Sequence, residues 1–132
     1  KKKPYFSLKE RINACKKITK NYKKIEIRYL DDKIKSSKSI KAINYIKNKN
    51  KKSNIYFLMG SDNLLGFHKW LSWKKILNLC TLVVFSRKGF DKKAKKSLII
   101  RYLKNNNIIF VENKKINVSS TLLRLAYQKS KF

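Results

Sequence analysis

Apolar residues at helical spacing alternate along this chain with short runs that favour β-strands. The first helical pattern places four residues on one face: Leu8, Ile12, Cys15 and Thr19. Ser7 and Glu10 have the spacing of a capping box at its start. The pattern therefore predicts a helix from about Ser7 to Lys20.

A strand and a second helix are predicted next. Ile25, Ile27 and Tyr29 alternate with polar neighbours, as residues of a half-buried strand do. The polar stretch 31–37 predicts a connection to a helix. That helix has three isoleucines on its inner side: Ile40, Ile43 and Ile46. The run from Asn54 to Met59 predicts a buried strand.

The second half of the chain continues the alternation. Helical patterns cover Leu64 to Phe67 and Lys69 to Leu79, and the run Thr81 to Phe85 is the strongest strand candidate. A lysine-rich helix from about Asp91 to Lys104 and a short strand, Ile108 to Val111, follow. Strands that alternate with helices predict an α/β fold with a parallel sheet, and we expect residues 1–132 to form a single domain.

The formal net charge of +28 raises the alternative of a basic nucleic-acid-binding module. The basic residues are mostly lysines spread over the whole chain, so no basic arm stands out. Codon usage rich in A and T also produces many lysines, asparagines and isoleucines. No recognised nucleic-acid motif accompanies the charge, so we expect no specific nucleic-acid partner.

The cellular compartment is predicted from the cysteines and from the absence of targeting patterns. Cys15 and Cys80 lie within apolar patterns, which predicts two small buried residues and no disulfide. No apolar run approaches the roughly 20 residues of a membrane helix, and no signal-peptide pattern is present. We therefore expect a cytoplasmic protein with no membrane partner.

Two motifs carry candidate chemistry. The apolar strand ends in Gly60 and Asp62, where glycine lets a ligand approach the backbone and the carboxylate can accept hydrogen bonds from a ribose diol. Near the end of the chain, three hydroxyl residues open a helical pattern, and an arginine follows about one turn later: Ser119, Ser120, Thr121 and Arg124. Hydroxyl groups, free N–H groups and a guanidinium together favour a phosphate.

These motifs and two neighbouring segments follow one another along the chain in the same order as in a known enzyme family. The ordered set consists of Tyr56 to Leu65, Phe67 to Trp70, Val83 to Gly89, and Asn117 to Thr121 with Arg124. It resembles the C-terminal two-thirds of bacterial nicotinate-nucleotide adenylyltransferases. The resemblance implies a Rossmann-like nucleotidyltransferase fold with a parallel sheet. Because the chain begins at Lys1 with no strand before its first helix, we expect an N-terminal truncation that removes the family's first strand.

The resemblance implies adenylyl transfer from ATP to nicotinate mononucleotide in NAD biosynthesis, with Mg²⁺ bound through the ATP phosphates. Gly60 and Asp62 would hold the adenosine. The phosphates would contact Ser119, Ser120, Thr121 and Arg124, and Arg124 is the expected catalytic residue. Another acceptor, either nicotinamide mononucleotide or phosphopantetheine, remains the alternative for the same chemistry.

The acceptor site is implied by the same resemblance. Trp70 would stack on the pyridine ring, while the backbone at Leu71 and the hydroxyls of Ser36 and Ser39 would receive the nicotinate carboxylate. Both serines replace threonines of the family, and serine keeps the hydroxyl. A packing role for Trp70 remains open. For Arg87, a substrate-phosphate contact and a surface salt bridge are both compatible with its place after a strand.

One family feature is not found in these residues. The segment Gly-x-Phe-Asp-Pro-x-His, followed by Gly-His, carries histidines that contact the ATP phosphates in similar enzymes. Nucleotidyl transfer depends mainly on positioning and charge stabilisation. We therefore expect residues 1–132 alone to fold poorly and to be inactive.

Overall fold

The structure is a computed structural model that describes residues 4–104, 106–113 and 125. The chain forms two compact units. One contains Lys1–Lys33 and Val118–Phe132, and the other contains Ile34–Asn117. The sheet and most of the described helices belong to the second unit.

The described part of the first unit contains helix α1 (Leu8–Thr19). The predicted capping box is confirmed: the Glu10 backbone N–H donates to Ser7 Oγ over 3.2 Å, and the Ser7 N–H donates to Glu10 Oε2 over 2.7 Å. No residue of α1 is fully buried, and Cys15 is exposed, so its predicted burial is wrong. Leu8 and Ile12, which share the predicted helical face with Cys15, are themselves only partly buried, so this face has no buried surface to cover the thiol.

Two further predictions for the early part of the chain are wrong. Residues 25–30 form no strand, because no other described strand lies beside them to accept their backbone hydrogen bonds. Within the stretch predicted as a connection, a short helix α2 (Asp31–Ile34) forms instead. Asp31 and Asp32 favour it, since negative side chains stabilise the first turn of a helix.

The second unit is built on a parallel sheet, as predicted. Strands β1 (Tyr56–Gly60), β2 (Thr81–Phe85) and β3 (Ile108–Val111) lie in the order β1-β2-β3, and both pairings are parallel. Their register aligns Leu58 with Val83 and Ile109. The carboxyl ends of the strands therefore meet at one edge of the sheet.

Helices precede and connect the strands. Helix α3 (Ser39–Lys49) precedes β1, and α4 (Ser61–Gly66), a 3₁₀ turn (Phe67–Lys69) and α5 (Trp73–Leu79) join β1 to β2. The β2–β3 connection contains α6 (Asp91–Lys95) and α7 (Leu98–Leu103). Each strand-to-strand connection is therefore helical, which is what parallel pairing requires.

Two helix predictions need correction. The single helix expected from Asp91 to Lys104 is broken, because Ser97 adopts an extended conformation and starts α7 as its N-cap. The helix expected from Lys69 begins only at Trp73, since Trp70 is extended and Ser72 has a left-handed backbone with φ 55°. In both cases a serine, Ser72 or Ser97, is the residue before the helix start, although the helical pattern of the sequence continues through it.

The hydrophobic core of the second unit lies on one face of the sheet. Its buried members come from the strands and the helices packed on them: Ile40, Ile43, Met59, Leu64, Phe67, Ile76, Leu77, Cys80, Leu82, Val84, Ala94, Ile99 and Leu103. Ile46, predicted to face inward, is 39% exposed. On the other sheet face, Tyr56, Leu58 and Ile109 are each about half exposed, at 54%, 59% and 46%.

The two cysteines differ in environment. Cys80 is buried, and desolvation raises the pKa of its thiol to about 11 from an ordinary value of 9.0. Neither Cys80 nor Cys15 forms a disulfide, as predicted. Of the described helices, none combines the length and apolar character needed to cross a membrane.

Candidate functional site

The candidate site lies where β1 and β2 end. Gly60 is opposite Phe85 in the parallel register, so the turns that follow these residues lie side by side. Gly60 precedes α4 with an extended backbone, and Asp62 lies in the first turn of that helix. The two predicted residues Asp62 and Arg87, 25 positions apart in sequence, are brought into direct contact.

Asp62 and Arg87 form an ion pair at this edge. Arg87 Nη1 donates to Asp62 Oδ2 over 2.8 Å, and the side chains are 55% and 23% exposed, respectively. Of the two interpretations of Arg87 drawn from sequence, the salt bridge is the contact observed. A pair this exposed contributes only roughly 0–1 kcal/mol to stability.

The second carboxylate oxygen of Asp62 is an unused acceptor. Oδ1 is shielded from solvent and has no hydrogen-bond partner among the described residues. It faces Gly60: a Cβ added to that glycine would lie 2.4 Å from Oδ1 and 3.3 Å from Arg87 Cδ. Glycine is therefore required here because of this close approach, and the acceptor capacity of Oδ1 is not used by the described residues.

Asp91 connects the two turns. Its Oδ1 accepts hydrogen bonds from Ser61 Oγ at 2.7 Å and from the Arg87 backbone N–H at 2.8 Å, and its Oδ2 accepts from the Ser86 hydroxyl. The Arg87 N–H also donates to Ser61 Oγ over 3.1 Å. Neither Ser61, Ser86 nor Asp91 was predicted as a site residue. The sequence feature that could have indicated Asp91 is its position as the first residue of a helix, α6, directly after the turn that ends β2.

A cleft adjoins this network at the ends of β2 and β3. Its volume is about 290 Å³, and it is lined by Ser86, Asp91, Lys95, Phe110, Val111, Glu112 and Asn113. Lys95 Nζ lies 5.6 Å from the Phe110 ring centre and 3.9 Å from Glu112 Oε1. A cleft at the carboxyl ends of parallel strands is where open α/β sheets bind ligands.

Another cleft, of about 380 Å³, lies at the amino ends of the strands. It is bordered by Tyr56 and Thr81, the first residues of β1 and β2, and by Asn54 and Asn107. None of the predicted site residues that the structure describes lines it. The smaller cleft is not lined by them either, but it lies at the same strand ends that Asp62 and Arg87 follow.

Trp70 lies just after the 3₁₀ turn and is partly buried against the core. Its ring centre is 5.2 Å from that of Phe67 and 6.1 Å from that of Phe57, with an edge-to-face arrangement to Phe57. The neighbouring Leu71 is 55% exposed. Trp70 therefore has a packing role, and its partial exposure leaves surface for a stacking ligand, so its predicted ligand role stays a prediction.

The two predicted acceptor-site serines lie at the start of α3. Ser39 is the first residue of that helix, and Ser36 Oγ accepts a hydrogen bond from the Lys38 backbone N–H over 3.2 Å. Lys38 is the N-cap and provides no side-chain cap. This helix start thus has uncapped N–H groups next to two hydroxyls. The remaining predicted residues, Ser119, Ser120, Thr121 and Arg124, lie outside the described residues.

The sequence model of the cytidylyltransferase-like family matches residues 1–126, which is nearly the whole chain. The chain belongs to the cytidylyltransferase-like family. This membership, together with the parallel sheet, confirms the predicted Rossmann-like nucleotidyltransferase fold. The edge of the sheet that holds Asp62 and Arg87 is thus part of a cytidylyltransferase-like domain.

Several curated relatives of this chain carry one name. A probable nicotinate-nucleotide adenylyltransferase of Pelagibacter ubique is 44% identical over 117 residues, covering 89% of this chain and 64% of the relative. Proteins of the same name from Fusobacterium nucleatum and Aquifex aeolicus are 35% and 32% identical, covering 86% and 92% of this chain. The resemblance inferred from the motifs is confirmed.

The matched region is shorter than these relatives. It spans 64% of the Pelagibacter ubique protein, 58% of the Fusobacterium nucleatum protein and 74% of the Aquifex aeolicus protein. The cytidylyltransferase-like chain therefore spans about three fifths of the length of the first two.

Proposed function

We propose that the protein transfers the adenylyl group of ATP to nicotinate mononucleotide, giving nicotinate adenine dinucleotide and pyrophosphate, as a step of NAD biosynthesis. The observation that carries the proposal is the meeting of the Gly60–Asp62 turn with Arg87 at the ligand-binding edge of the sheet. The shared name of the three relatives supports the choice of acceptor.

In this reaction an oxygen of the acceptor's 5′-phosphate attacks the α-phosphorus of ATP. The bond from that phosphorus to the oxygen bridging the α- and β-phosphates breaks, and pyrophosphate leaves with the bonding electrons. The protein contributes positioning and charge stabilisation, because both reacting groups belong to the substrates. The proposed site residues are accordingly hydrogen-bond donors, acceptors and cations.

Asp62 is proposed to hold the ribose of ATP. Its carboxylate supports this role, because Oδ1 has no hydrogen-bond partner among the described residues, and rotation of the partly exposed side chain would bring this shielded oxygen within reach of a ribose hydroxyl. Gly60 allows the nucleotide to lie close to the backbone. Arg87 keeps one donor on Asp62 and has four further N–H donors, so the same guanidinium can contact a substrate phosphate without breaking the ion pair.

The acceptor is proposed to lie against Trp70, with the pyridine ring stacked on the indole surface that Phe57 and Phe67 leave uncovered. The Leu71 backbone is proposed to donate to the nicotinate carboxylate. The hydroxyls of Ser36 and Ser39 supply further donors, supported by the uncapped start of α3. This recognition favours the acid over the amide, since a carboxylate accepts stronger hydrogen bonds than a neutral amide.

The ATP phosphates are proposed to contact Ser119, Ser120, Thr121 and Arg124, with Arg124 as the catalytic cation. A magnesium ion bound to the phosphates would neutralise part of their charge. The described residues contain no group of three acidic, cysteine or histidine side chains able to hold a metal.

The proposal is tested by pyrophosphate release from ATP with each acceptor, using the longest natural form of the protein. We expect nicotinate mononucleotide to give the highest kcat/KM. Nicotinamide mononucleotide and phosphopantetheine are the competing acceptors, and higher values with either would replace the proposed substrate. Tight, steeply salt-dependent DNA or RNA binding without turnover would instead support a nucleic-acid-binding module.

A further inference from the structure

The carboxylate of Asp91 collects three donors from two separate turns. Ser61 belongs to the turn after β1, whereas Ser86 and the Arg87 N–H belong to the turn after β2. An ionised carboxylate accepts all three at once, because it has two oxygens and about four lone-pair sites. Asp91 thus fastens together two turns that are 30 and 5 residues away from it in sequence.

The residues that donate hydrogen bonds to Asp91 are next to, or part of, the residues proposed to contact the nucleotide. Ser61 directly precedes Asp62, and the Arg87 N–H belongs to the residue whose guanidinium pairs with Asp62. Within the described ranges, Ser61 is the only polar residue counted as buried, at 1% exposure. Hydrogen bonds shielded from water hold their geometry more firmly than exposed ones.

The ion pair alone does not fix this geometry. Arg87 is 55% exposed and ends in a long flexible side chain, so its contact with Asp62 is open to competition from water and salt. Its backbone, by contrast, is held by Asp91 Oδ1 and Ser61 Oγ together. The position from which the guanidinium extends is therefore set by Asp91.

We propose that Asp91 is a positioning residue that fixes the spacing between Asp62 and Arg87, and that adenylyl transfer depends on this spacing. The second part rests on the proposed function. Asp91 itself has no proposed contact with the substrates. Its effect is transmitted through the Ser61 hydroxyl and the Arg87 backbone.

Two variants separate this role from general destabilisation. Asp91→Ala removes both acceptor oxygens, and with them the three hydrogen bonds, and should lower kcat/KM roughly 100-fold, the scale of a misplaced catalytic group, with a raised KM for ATP. Asp91→Asn keeps the shape and one acceptor oxygen for Ser61 and Arg87, so it should restore most of the loss. Asp32→Asn is the matched control, because it removes the same charge in α2, a helix that is not one of the elements forming these turns.

A second measurement does not depend on turnover. The ¹H–¹⁵N NOE of the Arg87 Nε–H group, assigned through its loss in Arg87→Lys, reports the order of the side chain. The NOE should fall by about half in Asp91→Ala and stay unchanged in Asp32→Asn. The fall is expected because the Arg87 side chain becomes more mobile when the hydrogen bond that holds its backbone N–H is lost.

The outcomes are distinct. If the parent protein does not adenylylate nicotinate mononucleotide, the proposed function fails, while the Arg87 NOE still decides whether Asp91 fixes the spacing. An unchanged NOE in Asp91→Ala overturns the positioning role. So does a loss of kcat/KM that merely follows the folded fraction measured by circular dichroism, or a loss in Asp91→Asn equal to that in Asp91→Ala.

Discussion

Substituting Gly60 by alanine tests the close approach of the Asp62 carboxylate to Gly60 in the candidate site. The added Cβ would lie 2.4 Å from Asp62 Oδ1 and 3.3 Å from Arg87 Cδ. Overpacking of this kind costs about 1–3 kcal/mol, and the cheapest relief is rotation of the Asp62 carboxylate away from its position. We therefore expect the ion pair with Arg87 and the free Oδ1 acceptor to be displaced together.

The functional consequence can be estimated from the lost contact. A hydrogen bond to a charged group contributes about 1.5–3 kcal/mol, so Gly60→Ala should weaken ATP binding roughly tenfold to hundredfold. Isothermal titration calorimetry with ATP measures the affinity, and thermal denaturation followed by circular dichroism measures the stability. The affinity should fall more than a small shift in the melting temperature can explain.

Gly66→Ala is the matched control. This glycine ends the same helix, α4, and a Cβ there would meet nothing within 4 Å. Its substitution should leave ATP affinity unchanged and raise stability by roughly 0.4–1 kcal/mol, because alanine restricts the unfolded chain. Normal ATP affinity in Gly60→Ala, or equal losses in both variants, would refute the assignment of this turn to the nucleotide.

Three further predictions concern other residues. Trp70→Ala should weaken nicotinate mononucleotide binding by about 1–3 kcal/mol and leave ATP affinity nearly unchanged, whereas equal losses for both ligands in titrations would indicate packing alone. Arg124→Ala should raise the KM for ATP or lower kcat in steady-state assays while the circular dichroism spectrum is retained, and full activity or an unfolded variant would contradict its phosphate role. Iodoacetamide at pH 8 should modify exposed Cys15 and spare native Cys80, whose raised pKa of about 11 disfavours the reactive thiolate; equal labelling rates by mass spectrometry would contradict the burial of Cys80.

The pKa of Cys80 also gives a direction for stability against pH. The folded state binds the thiol proton more tightly than the unfolded state, whose pKa is near 9.0. The stabilising contribution is therefore complete below about pH 9 and is lost as the pH rises towards 11. This loss should disappear in Cys80→Ala, measured by denaturant unfolding at several pH values.

The sequence was informative where structure is determined locally. The apolar run into Gly60, the β-favouring run Thr81 to Phe85 and the capping box of Ser7 each depend on neighbours within a few positions, and both strands and the cap form. The predicted burial of the first strand is wrong, because β1 lies at the edge of the described sheet and exposes Tyr56 and Leu58 on one face. The predicted strand at residues 25–30 was wrong because a strand requires a partner, and the alternation of side chains does not reveal whether one is present.

The site was predictable only in part for the same reason. Gly60 and Asp62 belong to one short motif, so their proximity follows from the sequence. The role of Asp91 depends on its meeting Ser61, 30 positions away, and an aspartate in the first turn of a helix is too common to indicate such a contact. Long-range pairing of β1 with β2 supplies the missing information.

That 30-residue separation also sets the order in which the site can form during folding. Bringing Ser61 and Asp91 together closes a loop whose entropic cost, about 3 kcal/mol by the usual logarithmic relation, is met only when β1 and β2 pair around their helical crossover. Before that pairing, a nascent chain already contains Gly60 and Asp62, but Arg87 and Asp91 do not yet lie beside them. A nucleotide bound here would select the folded unit and raise its stability by mass action, so occupancy of the site would itself report completed folding.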